Sequence, residues 1–502
     1  SSGSAPSTTA AYMLWADTSN ALLKMRNSAN DDWITLRTLT GGLTSAADAT
    51  INGITVGKGA NSVASNTAVG DNALDASVTG TANTGVGINT LTDLTSGASN
   101  TGIGKDALEQ LTTANQNTAL GANAGSNITT GDNNTAIGCN ALEDCTTGEQ
   151  NVALGRDALE SNTTANNNTG IGYNTLTSNT TGATNVAVGS LALDANTTAS
   201  GNTAVGYNSL GANTTGTENT AVGVLSLDHN TEGDYNVAVG DEALTVNTTG
   251  NNNVAIGRRA LYQNTTANNN IAVGYSSLND NTTGTANTGV GTSSLANNTS
   301  ADNNTAIGSE SLKLNTTGTR NTALGSLSLR KSTTADDNTA IGYLAMSECT
   351  TGGDNTAIGK DALYSTTTGG NNCAMGKDAL TANTTAGNNV ALGFQSMMAN
   401  TTGTKNTAVG ANALDANTTA DTNTAIGYNS LGVNTTGASN TAIGQASLSS
   451  NTTASNNTAA GKSALASNTT GANNVGIGMD ALEENTTASD NVGVGYNVLN
   501  KN

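Results

Sequence analysis

The side chains of this sequence with chemistry to offer are one histidine, four cysteines and 37 Asp and Glu residues among 502. His229 stands alone. A Ser-His relay or an imidazole metal cluster needs partners that the chain does not supply. Cys139, Cys145, Cys349 and Cys373 follow no framework spacing and are read as free thiols, the state expected after assembly in a reducing compartment. Acids such as Asp71, Asp157 and Glu160 occupy variable positions. They are read as solvated charge, not as the paired carboxylates of a polysaccharide-cleaving groove. The calcium-binding nonapeptide of other solenoids is absent. No catalytic, cofactor-binding or metal site is therefore assigned, no cofactor is expected, and the chain is not read as an enzyme.

What would have to position such residues is an unusual chain: 60 Gly, one Pro, one Phe and two Trp. An ordinary aromatic and aliphatic core cannot be built from it. The formal net charge of -20 argues against a nucleic-acid partner held through phosphates. No apolar run approaches the roughly 20 residues of a membrane-crossing helix, and no membrane insertion is expected.

Repetition dominates the sequence. Glycine recurs every 17 residues from Gly70 to Gly495, 26 copies without insertion or deletion, and a typical unit reads NTAIGYNSLGVNTTGAS. The copies form columns. Four before the glycine stands Asn in every copy; two before, only Ala or Gly; one before, Val, Ile, Leu or Met apart from Ala460; four after, Leu in nearly every copy. Directly after the glycine, Tyr173, Lys360, Arg156 and Asp241 are all accepted, which marks a wet position. The rings there, Tyr173, Tyr207, Tyr275, Tyr343, Phe394, Tyr428 and Tyr496, are read as incidental surface.

Asn-Thr-Ala-Ile-Gly predicts a short strand with Thr and Ile on one face and Ala on the other, the Ile column being packed. A second short strand is predicted around the Ser-Leu or Ala-Leu pair. Asn seven after the glycine, as Asn162, Asn213 and Asn434, gives way to Leu94, Leu111, Ile128 and Cys145 in early copies. That exchange predicts an inward corner with stacked amides, so the repeated Asn-Thr-Thr is not read as a glycosylation acceptor. Gly or Ala after the Thr pair predicts a tight turn that sometimes takes positive φ. The Thr pairs suggest ice binding only weakly, because adjacent Thr residues point to opposite faces.

One 17-residue unit per coil predicts a parallel β-solenoid, all-β, rising ~4.8 Å per coil. The apolar content per coil is thin against the cost of ordering 17 residues, which predicts association of several chains. The Ala/Gly column is read as the site where another backbone approaches. Three segments are expected: a small β module over 1–52, a transition with a shortened coil over 53–65, and the solenoid over 66–502.

The unit NTAIGYNSLGVNTTGAS resembles repeats of phage tail-fibre proteins and of bacterial proteins ending in a self-cleaving chaperone. It is also similar to the shorter head repeats of trimeric autotransporter adhesins, and GKGANSVASNTAVG, from Gly57 to Gly70, looks like that shorter type. The resemblance implies a homotrimer of left-handed β-rolls with an adhesive or spacer role. Ala5 to Leu39 resembles a module of phage fibre and virion proteins, with strands at Tyr12 to Trp15, Leu22 to Arg26 and Trp33 to Leu39 separated by turns. It is expected to cap the first coil. Together these imply a virion fibre shaft, joined to other fibre or baseplate proteins through the N-terminal module and carrying a part that binds a host surface receptor, a glycan among the candidates. A bacterial surface adhesin or extracellular filament is the alternative. The chain stops inside a coil after Gly495: either it was cut there or it is part of something longer, and the sequence leaves open whether a receptor-binding tip or a chaperone follows Asn502.

Overall fold

The computed structural model describes residues 14–17, 22–26, 33–38, 48–51 and 54–500. The chain forms two compact units, Ser1–Gln150 and Asn151–Asn502.

Unit 1 begins with three short strands, β1 (Leu14–Asp17), β2 (Leu22–Arg26) and β3 (Trp33–Thr38), paired antiparallel in that order, with a register shift between Leu23 and Lys24. β2 takes the predicted bounds, β3 covers Trp33 to Thr38 of its predicted span, and β1 runs two residues past the predicted end at Trp15. Tyr12 and Leu39, at the ends of the expected module, lie outside the described residues.

A hairpin of β4 (Ala49–Ile51) and β5 (Ile54–Gly57) follows. β5 runs antiparallel to Thr67–Val69, with Val56 opposite Val69. The stretch from Gly57 to Gly70 therefore reverses the chain, where a shortened coil was expected. Asp48 secures the reversal by accepting the backbone N–H groups of Lys58 at 2.7 Å and Gly59 at 2.8 Å. An antiparallel strand on the first parallel one hides an edge that would otherwise template pairing.

From Thr67 onward unit 1 stacks five three-residue strands, ending at Thr135–Ile137, each parallel to the next and each residue opposite the one 17 positions later. Unit 2 stacks 21 strands in the same way, from Val152–Leu154 to Val492–Val494. Both are parallel β-solenoids with one 17-residue coil per turn, as the period predicted. At ~4.8 Å per coil the stack in unit 2 spans roughly 100 Å.

The coil of Gly172 shows how the sequence closes its loop. Thr169–Ile171 is the strand. Gly172 bends the chain at φ 138°, and a Cβ there would lie 2.7 Å from the carbonyl carbon of Gly189 in the next coil. Both the dihedral and the close approach demand glycine. The turn that follows places Asn174 and Leu176 at φ 53° and 51°, and Thr184 near the end of the coil takes φ 59°. Side chains in this left-handed region cost about 1 kcal/mol or more each. Complete burial of Leu176 offsets the cost, as do bonds along the stack: Asn174 N–H to Arg156 O, Leu176 N–H to Ala192 O and Thr184 N–H to Asn166 O, each 3.1 Å.

Three expectations are corrected here. The Ser-Leu segment is not a second strand: its positive φ values curl the chain while keeping its amides bonded along the axis. The Gly/Ala position after the Thr pair does not take positive φ. At Gly182 the constraint is room, since a Cβ would sit 2.2 Å from the carbonyl oxygen of Ala199. Most consequentially, the Ala/Gly column faces inward and the Ile column outward. Ala238 is 0% exposed beneath the buried Leu ladder, whereas Ile256 is 41% exposed. The small column exists because the coil's own walls approach closely, as at Gly170, where a Cβ would meet Thr175 Oγ1 at 3.1 Å and Leu159 Cγ at 3.3 Å.

The polar interior follows the sequence reading. Asn168 accepts the backbone N–H of Asn185 at 2.9 Å and donates its amide to Gly182 O at 2.8 Å, tying the strand to the opposite wall. Asn179 donates to Asn162 Oδ1 and to Gly182 O, both at 2.9 Å. These buried amides have partners along and across the coil, as buried polar groups require. The early Leu94, Leu111, Ile128 and Cys145 are fully buried in the same column.

Candidate interaction face

The outward side of the strand ladder is the most distinctive surface of unit 2. Alternation along a strand sends the residues one and three before each glycine to this face while the residue between them points inside. Three successive coils carry aliphatic residues at both outward positions: Val237 and Val239, Val254 and Ile256, Ile271 and Val273. Elsewhere the inner of the two is usually Thr, as at Thr305 and Thr424, so the face is apolar along one column and methyl-plus-hydroxyl along the other. Leu154, Leu324, Met375 and Ile443 continue the apolar column, each more than a third exposed. Cys373 lies on this face between Thr356 and Val390, half-buried.

Once the interior is placed, the column compositions become intelligible. A column holding only Ala and Gly is what a cramped interior accepts, and a column mixing Thr, Val, Ile and Cys is what a half-wet face accepts.

Two rims bound the face. One is the position directly after each glycine, where Tyr173, Tyr207, Tyr275, Tyr343, Phe394 and Tyr428 are exposed as expected. Some of these rings are covered by neighbouring cations: the Arg156 guanidinium lies 6.0 Å from the Tyr173 ring centre and the Lys377 ammonium 5.6 Å from that of Phe394. The other rim is the position just before each strand's leading Asn, and it too is exposed.

The remaining candidates do not converge. His229 is exposed, its Nε2 4.0 Å from Asp228 Oδ2. Asp228 also accepts the Asn208 amide, and burial raises its carboxyl above the usual range against the lowering effect of His229 and Asn208. Asp194, two coils before it, is raised chiefly by burial as well, with Asp228 adding to the shift, and Asp415 is raised by burial. Among the described residues no group of three or more His, Cys, Asp or Glu side chains gathers to hold a metal ion.

Asp71 is exposed. Asp157, expected as solvated charge, is instead buried beside Arg156 at 3.0 Å, because its position two after the glycine lies within the turn. Asn162, Asn213 and Asn434 are fully buried, out of reach of a glycan. Of each Thr pair the first is half-buried and its hydroxyl bonds along the stack, as in Thr180 to Thr197 O at 3.0 Å, leaving only the second exposed. None of the four cysteines is joined in a disulfide. Cys349 is buried in the Asn column with its Sγ 3.3 Å from Gly352 O, and burial pushes its thiol up to about 11.

The arrangement offers a long, regular, partly apolar surface and no converged reactive group among the described residues. No family model and no curated protein sequence matches the chain.

Proposed function

We propose that the chain is a structural fibre component, the shaft of a homotrimeric viral fibre, whose N-terminal module joins other fibre or baseplate proteins and whose solenoid holds a host-receptor-binding part at a distance. The role is mechanical and involves no turnover. Rigidity comes from hydrogen-bond ladders that run along the stack through the strand, the turn and the Asn four before each glycine.

The observation that carries this reading is the outward apolar column. Contiguous exposed apolar surface beyond a few hundred Å² marks an interaction site. Across the 21 coils of unit 2 this column leaves on the order of 1,000 Å² exposed, more than the ~800 Å² one partner contributes to a standard interface. The surface suits a second copy of the same chain, because only a partner with the same repeat matches its period coil for coil. The resemblance of the repeat and of the β1–β3 module to phage fibre proteins points to a virion as the location.

Sedimentation of the full chain tests the association, with a trimer expected and a stable monomer refuting it. Electron microscopy of virions labelled with an antibody to the chain tests the location. Label on tail fibres supports the reading, and label confined to a bacterial surface would assign the chain to the adhesins instead.

A further inference from the structure

We propose that the rim after the glycine in unit 2 is a binding track for a linear, uncharged, β-1,4-linked polysaccharide, whose sugar rings stack on its file of aromatic side chains. The inference goes beyond a spacer role and does not rest on association, since each chain carries the whole file.

The position directly after the glycine is wet and accepts many residue types, yet it holds seven of the ten aromatic side chains of unit 2. Of these, Tyr173, Tyr207, Tyr275, Tyr343, Phe394 and Tyr428 range from 46% exposed at Phe394 to 57% at Tyr428. Rings with no task would scatter over the other wet positions of the coil. A protein partner is served by aromatic anchors clustered at the centre of a patch. These are strung along one line instead, at intervals that the stacking fixes.

Tyr173, Tyr207, Tyr275 and Tyr343 follow one another at two, four and four coils, and Phe394, Tyr428 and Tyr496 at two and four. Only the step from Tyr343 to Phe394, three coils, is odd. Two coils rise roughly 10 Å at the inter-strand spacing. That matches the repeat of an extended β-1,4-linked chain, in which every second sugar turns the same face. One such chain therefore lays like faces on successive rings of each tract. The C–H groups of a pyranose face are attracted to the negative face of an aromatic ring. Between Tyr275 and Tyr343, the side chains of Thr292, Ser309 and Ser326 offer hydroxyls without blocking the line.

Charge sets the class of glycan. Four of the five cations on this rim are engaged by acids of the chain: Arg156 with Asp157 at 3.0 Å, Arg258 with Asp241 at 3.1 Å, and Lys360 and Lys377 with Asp361 and Asp378, both at 3.4 Å. An anionic polysaccharide would find these charges already neutralised and the field of a chain of net charge -20 around them. An uncharged one meets no such repulsion.

The test is native affinity electrophoresis of the full chain in gels containing hydroxyethylcellulose, konjac glucomannan or glycol chitin, with carboxymethylcellulose and dextran as the anionic and α-linked comparisons. Retardation by at least one of the first three is expected, and by neither comparison. Tyr207→Ala and Tyr275→Ala should each weaken it several-fold and together by the product of the two effects. Tyr235→Ala removes a ring that is 54% exposed but outside the file, and should leave retardation unchanged. No retardation by any of the three, equal retardation in either comparison gel, or an equal loss in Tyr235→Ala overturns the track. Sedimentation of the same samples keeps the two readings apart: an oligomer that is not retarded refutes the track alone, and a monomer that is retarded refutes the association alone.

Discussion

Asn179 donates one amide hydrogen to Asn162 Oδ1 in the preceding coil and the other to Gly182 O in its own, both at 2.9 Å. Repeated along unit 2, this pair of bonds makes the amide column a polar spine in which one residue stitches two coils and closes its own turn. Asn230 occupies an equivalent place, bonded to Asn213 Oδ1 at 2.8 Å and Gly233 O at 3.0 Å. Asn230→Ala should cost about 2–3 kcal/mol, because two buried acceptors lose a donor. Hydrogen exchange should show loosening at the neighbouring coils first.

The spine is interrupted at Ser332. Its hydroxyl and Asn315 Oδ1 are both buried without a partner, and Cys349 and Thr366 prolong the break. Ser332→Asn restores a donor to Asn315 and to the carbonyl of Ala335, on the pattern of every neighbouring Asn. A gain of about 1 kcal/mol is expected in denaturant unfolding. A loss would show that the break is required by local packing.

Inside and outside on the strand are separable by mutation. Ala238→Leu forces a side chain into the closed interior and should cost at least ~2 kcal/mol in coil stability. Ile256→Thr keeps the β-branch on the outward face and should cost well under that in the isolated chain, while weakening association measured by sedimentation. Equal effects on folding would mean that the outward column is a core.

Cys349 titrates against its burial. Its thiol is raised from 9.0 to about 11, so the neutral form stabilises the fold fully below pH 9 and that contribution is lost as pH rises through 11. The full loss is about 2–3 kcal/mol. Wild type should fall relative to Cys349→Asn between pH 9 and 11, and the native thiol should resist alkylation at pH 8 while the exposed Cys139 reacts. Parallel pH profiles for the two proteins would refute the assignment.

Asp194 and Asp228 are raised mainly by burial, so ionisation opposes the fold at neutral pH and the penalty disappears as pH falls through their folded values. Asp194→Asn should raise stability modestly at pH 7, by less than ~1 kcal/mol, with the difference from wild type vanishing below the carboxylate range. Thermal melts at pH 7 and pH 2.5 compare the two cases.

The coil length, the parallel stacking and the buried Leu and Asn columns were legible because a strict period turns one chain into an internal comparison of 26 copies; the N-terminal strands, outside the repeat, showed only through their bounding turns, and the first was placed two residues early. The turn that replaces a second strand in each coil was not legible, since Leu at positive φ has no signature of its own: the fully buried Leu176 takes φ 51° in a turn as readily as it would fill a strand. The antiparallel return of β5 was hidden because GKGANSVASNTAVG ends in the same Asn-Thr-Ala-Val-Gly as a true coil.

The sequence by itself determined which residues share a column, since 17-residue spacing places them in register whatever path the coil takes. Only the tertiary structure decided which side of the strand is the interior. Ala238 and Val239 are neighbours on a strand, and alternation says they face opposite ways without saying which faces in. The answer lies in the width of the coil: its turn brings Leu so close behind the strand that nothing larger than Ala fits between them, and the bulkier Val and Ile are left outside, available to a partner.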